Sequence, residues 1–134
     1  MKVHAMECIQ SIKPDHQMIL LSIHGAVTAQ DICDAADQML HSPGFQPGFN
    51  ALWDLRNATL KDPCRRFIGT LIHYVEKTQP GRGEHYKAAI VVNNEVDYGY
   101  ARMLCEYAAK LPAELKVFRF ISDAFQWIHP EVLV

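Results

Sequence analysis

The chain has 134 residues, 49% hydrophobic and 21% charged, with a formal net charge of −2. That length fits one domain, 1–134, whose core needs no staples. The mixed charge excludes the clustered basic face of a nucleic-acid binder, and no apolar run approaches the ~20 residues of a membrane span.

The first expected element is a strand over residues 3–12, VHAMECIQSI, with Val3, Ala5 and Ile9 set against polar neighbours. Pro14-Asp15 supplies a turn, and QMILLSIH at 17–24 is a second strand, so the two read as a hairpin. Gly25 ends that strand. Thr28 reads as a helix N-cap, with Asp31 near the positive end of the helix. Ile32, Ala35, Ala36, Met39 and Leu40 form its apolar stripe, and Pro43-Gly44 stops it.

A third strand covers 49–55, FNALWDL, with Trp53 as a core aromatic. Asp62-Pro63 reads as the N-cap and first turn of a helix over 63–77, striped by Phe67, Ile68, Leu71, Ile72 and Val75. KTQPGRGEH reads as a mobile loop. Residues 86–92, YKAAIVV, are apolar without alternation, as in a parallel strand covered on both faces. Asn93-Asn94 leads into a helix over 95–110, closed by Pro112. ELKVFRF is a fifth strand, and Ser122 caps a last helix pinned by Ala124, Phe125, Trp127 and Ile128. The order β-β-α-β-α-β-α-β-α implies an α/β fold. Its mixed, mostly parallel five-stranded sheet carries about four helices, and the first strand is the antiparallel exception.

The pieces GAVTAQDI, SPGFQPGFNALWDLRNAT, KAAIVVNNEVDYGYARML and LKVFRFISDAFQWI, in this order and spacing, resemble the SpoIIAA-like group. Its fold is shared by STAS domains and by lipid-binding CRAL-TRIO domains. The resemblance implies a mixed sheet with packed helices and a binding role rather than catalysis. One departure matters. Anti-sigma-antagonist STAS domains carry a phosphorylated serine after the third strand, whereas this chain reads Leu55, Arg56, Asn57, Ala58, Thr59, Leu60 there. That segment has no serine and no glycine, so the phosphorylation switch is not carried over.

Ligands of open α/β sheets gather at the carboxyl ends of the strands. That edge selects Arg56, Asn57, Thr59, Asn93, Asn94 and Tyr98 as contacts for a partner protein or a small apolar, lipid-like or acidic ligand. Helix N-termini at 28, 62, 94 and 122 point to the same rim. Asp54 resembles a receiver's phospho-acceptor, but the acid pair and lysine of a receiver are missing. Pairing with Arg56, Arg102 or a backbone N–H is its expected role.

The histidines His4, His16, His24, His41, His73, His85 and His129 form no HxH or HExxH, so no metal and no cofactor is expected. Cys64, near a helix N-terminus, has no histidine beside it in sequence. The cysteines Cys8, Cys33, Cys64 and Cys105 form no CxxC and read as free thiols in a reducing cytoplasm. Met103 and Trp127 read as core. Tyr98 and Tyr100 stand ~200° apart on a helix, so one of them should be exposed. The tail HPEVLV is apolar enough to lie on a partner subunit, and a homodimer is an expectation. The alternatives to a binding module are an acid–base enzyme using Asp54, Arg56 and a histidine, and a structural homo-oligomer.

Overall fold

The computed structural model describes residues 6–130. Its elements are β1 (Met6–Lys13), β2 (Met18–Val27), α1 (Ala29–Leu40), β3 (Asn50–Leu60), α2 (Arg65–Arg82), β4 (Tyr86–Val91), α3 (Glu95–Ala108), β5 (Ala113–Phe118) and α4 (Ile121–Ile128). A short 3-10 turn, Pro14–His16, closes the β1–β2 hairpin. The expected roles of Val3, Ala5 and residues 131–134 lie outside the described residues.

The five strands stand side by side in the order β1-β2-β3-β4-β5. β1 is antiparallel to β2, and every later pair is parallel. The fold class read from the sequence holds. Three right-handed crossovers stepping the same way across a sheet put their helices on one face. Accordingly α1, α2 and α3 pack together over one face. The chain then reverses, and α4 covers the other face at β3, β4 and β5.

Alternation along the strands feeds both layers. Leu55, Ile90, Val92 and Val117 face the three-helix layer. Met18, Leu52, Ala89 and Val91 face α4, which contributes Ala124 and Ile128. That two-sided burial explains why 88–92 is apolar without a period.

Two helix starts follow the expected chemistry. At α1 the Thr28 hydroxyl accepts from the Asp31 N–H, and the Asp31 carboxylate accepts from the Thr28 N–H, both at 3.0 Å. At α3 the Asn94 side chain accepts from the Asp97 N–H at 2.8 Å. Two other starts differ. α2 begins after Cys64, and Asp62 sits at φ +51° in the bend before it. α4 begins after Phe120, two residues earlier than a Ser122 cap would place it. Neither helix has a side-chain cap, so the local residue preference was overridden by how each helix docks.

Two elements outrun their expected ends. β2 continues through Gly25 to Val27 because β3 continues beside it, with Gly25 opposite Ala58 and Val27 opposite Leu60. α2 runs through Pro80 to Arg82, so most of the expected KTQPGRGEH loop is helix. The turn after it is held by the Gly83 N–H on the Gln79 carbonyl (3.2 Å) and the Gly48 N–H on the Arg82 carbonyl (2.9 Å).

Candidate functional site

The carboxyl edge of the sheet was the expected site. Doubly wound sheets form a crevice there because crossovers diverge to opposite faces. In this sheet the three crossovers between parallel strands all step one way, so they open no such crevice.

Arg56, Asn57 and Thr59 lie within β3, not in a loop after it. Between Ser22/Asp54 and His24/Asn57 the β2–β3 register slips by one residue. This bulge flips the alternation, so Leu55 and Ala58 both face the core while Asn57 and Thr59 are exposed. Asn57 and Thr59 are polar residues beyond the expected strand end at Leu55. Their backbone is instead paired, and only their side chains reach water.

Asp54 is 7% exposed. Its Oδ1 accepts from Arg56 Nε at 2.8 Å and from the Arg56 N–H at 3.1 Å, while Oδ2 accepts from Nη2 at 2.8 Å. The hydrogen bonds from Arg56 outweigh burial and hold the Asp54 carboxyl below the usual carboxylate range. Asn93 Nδ2 donates to the Arg56 carbonyl at 2.6 Å, and Arg119 bonds both the Asn93 carbonyl and Glu95. So Arg56, Asn93 and Asn94 do converge on one rim. Tyr98, on the next turn of α3, is half-buried.

Ser22 and His24, one strand over, share a hydrogen bond of 3.1 Å beside this cluster. Sequence reasoning passed over the pair, although an i, i+2 spacing on a strand was its signal. Both Asp54 oxygens are engaged by Arg56, so the acid does not orient His24 as a triad would require.

Arg56 is therefore the ion-pair partner of Asp54. Its side chain is 41% exposed, so solvent screens the pair. Arg56→Ala should cost about 1–2 kcal/mol in urea melts, less than the ~3–5 of a fully buried pair. Because the folded Asp54 value is depressed, its stabilisation is present above the unfolded value of ~3.9 and drains as pH falls through the folded value. Arg56→Ala should flatten this acid limb. An unchanged pH profile would disprove the assignment.

Between the sheet and the three-helix layer lies a second feature, a cavity of about 140 Å³. Its walls are mostly apolar: Ile32 from α1, Leu71 from α2, Leu104 from α3, and Trp53, Ile90 and Leu115 from the strands. The lining along β4 runs from Tyr86 to Val92, about 20 Å at ~3.3 Å per residue. A charged side chain lines it beyond each end of β4, Arg82 before the strand and Asp97 after it. Asp97, at the start of α3, accepts from Asn94 Nδ2 at 2.9 Å. Arg82, the last residue of α2, is 6% exposed. Burial pushes its guanidinium down to about 10, still cationic at neutral pH. The sequence does not show this site, since Pro80, Gly81 and Gly83 give the end of α2 the composition of a loop.

Several aromatic expectations change here. Trp53 is half-buried on the cavity wall. Tyr98 and Tyr100 are both half-buried, because α3 packs against α2 as well as β5. Met103 and Phe125 are exposed, at 42% and 40%. Trp127 rests on Phe118, ring centres 5.6 Å apart. All four cysteines are free, and burial pushes Cys33 up and Cys105 up to about 11. A polar hollow of about 420 Å³ at the opposite sheet edge holds His16, His85 and His129. Among the described residues no cluster of three or more side chains could hold a metal ion, and no helix is long and apolar enough to cross a membrane.

A singly wound parallel sheet with an antiparallel edge hairpin, three helices on one face and one on the other defines the class of this molecule. It is the SpoIIAA-like fold. An uncharacterized protein of the DUF3478 family from Shewanella loihica PV-4, solved as a crystal structure with that fold, superposes with a TM-score of 0.58. The match covers 96% of this chain and 97% of that one at 17% identity. No family model matches the sequence, and no curated protein does.

Proposed function

We propose that the protein is a non-catalytic binding module that takes a small apolar ligand between its sheet and its three-helix layer. The observation that carries this reading is the interlayer cavity. A cavity of about 150 Å³ lined by Leu, Ile and Phe stays dry and binds benzene, and this one is of that size and lining. Ligand sites are concave, mostly apolar and marked by a few placed polar groups. Trp53 on the wall is a built-in reporter once Trp127, on the other face, is replaced. In a Trp127→Phe background, 1-hexanol should shift Trp53 emission saturably. Ala101→Phe, which fills the cavity from α3, should abolish the shift without lowering Tm. A linear, unsaturable response in both proteins would refute the reading.

A second reading has its own observation. Val96 and Phe120 are 62% and 67% exposed, and they flank the rim formed by Arg56, Asn93, Glu95 and Arg119. Large exposed apolar side chains rimmed by polar groups suit a protein partner. In this reading Arg56, Asn57, Thr59, Asn93, Asn94 and Tyr98 surround the contact with a partner protein.

A further inference from the structure

We propose that Arg82 anchors the acidic head of the cavity's ligand, a carboxylic acid with a short hydrocarbon chain. This rests on the binding reading above and names the ligand's chemistry.

Arg82 is buried without a carboxylate partner among the described residues. Its Nη1 donates to the Phe49 carbonyl at 2.5 Å. Its guanidinium carbon stacks 3.7 Å from the centre of the Tyr86 ring, with Phe45 at 5.5 Å on the same group. Its Nη2 is buried and has no acceptor among the described residues. Aromatic faces and one carbonyl offset only part of the cost of taking a cation out of water. A buried charge short of partners is a weak source of stability. Packing alone therefore does not call for arginine at this position.

What arginine adds is a planar fork of donors matched to a carboxylate. The fork stands on the lining of a mostly apolar space. The Asp97 carboxylate lies at the far end of that space and is already held by Asn94, so Arg82 and Asp97 do not satisfy each other. A ligand with its carboxylate on Nη2 and its hydrocarbon along the β4 wall would satisfy the orphan donor and fill the cavity together. The Asp97 end sets the polarity, because a carboxylate placed there would meet like charge. An amine would meet like charge at the Arg82 end.

The test uses the full chain carrying Trp127→Phe, with Trp53 as the probe at neutral pH. Hexanoate and octanoate are titrated against 1-hexanol, 1-octanol and octylamine. The acids should bind at least tenfold more tightly than the alcohols of equal length, and the amine least. Arg82→Met should bind the alcohols within about threefold of the parent and lose the preference for acids. Arg82→Lys, which keeps the charge without the fork, should restore part of it. Alcohols binding as well as acids to the parent would overturn the role of Arg82 and leave the cavity reading intact. No binding of any probe would remove the cavity reading, and the anchor with it. The comparison within the parent protein decides even if Arg82→Met does not fold.

Discussion

Leu52→Ala is expected to cost about 2–5 kcal/mol, near the upper end of that range. Leu52 is fully buried in β3, the middle strand of the sheet. It packs with Met18 of β2, Ala89 and Val91 of β4, and Ala124 and Ile128 of α4. The cost of a truncation depends on how far the neighbours can collapse into the hole. Here they cannot move far. The strands on either side are fixed by their ladders, and Ala89 and Ala124 have no reach. For a chain of this size the loss should lower Tm by on the order of 10–15 °C. Urea unfolding with an unchanged slope would attribute the loss to the native state. A loss below about 1 kcal/mol would mean that α4 is not seated on the sheet as described.

Gly83→Ala is expected to be of similar size for a different reason. Gly83 has φ +96° and ψ −175°, a region that is essentially glycine-only and costs about 1–3 kcal/mol for other residues. A Cβ there would lie 2.5 Å from the Gly48 nitrogen and 3.0 Å from the Pro47 carbonyl carbon. Both are backbone, so neither can swing aside, and relieving such overpacking costs a further ~1–3 kcal/mol. The Gly48 N–H donates to the Arg82 carbonyl, so the same movement displaces the end of α2. We expect a total loss of about 2–5 kcal/mol, together with weaker binding at the Arg82 end of the cavity. Gly81 is the internal control. It lies in α2 with nothing within 4 Å of a built Cβ, and alanine there should stabilise by ~0.5–1 kcal/mol. Equal behaviour of the two variants in thermal melts would contradict the close approach at Gly48.

Much of the architecture was written locally. Thr28 with Asp31, and Asn94 with Asp97, terminate helices through contacts three residues apart, so they are legible without the fold. The apolar run at 88–92 announces a strand covered on both sides, and alternating strands and helices announce parallel pairing. Caps and periodicity act within one or two turns, so the sequence carries them wherever docking does not override them. What lay beyond that range went to tertiary structure. β3 extends to Leu60 because residues 24–27 of β2 pair with it, overriding the polar look of Asn57 and Thr59. The uncapped starts of α2 and α4 answer to packing and not to Asp62 or Ser122. The rim was legible as a neighbourhood but not as an ion pair, since only the bulge and the register set Arg56 around Asp54. The cavity was not legible at all. A void is what several side chains jointly fail to fill, and whether Arg82 meets a partner is decided by chain segments more than thirty residues from it in sequence.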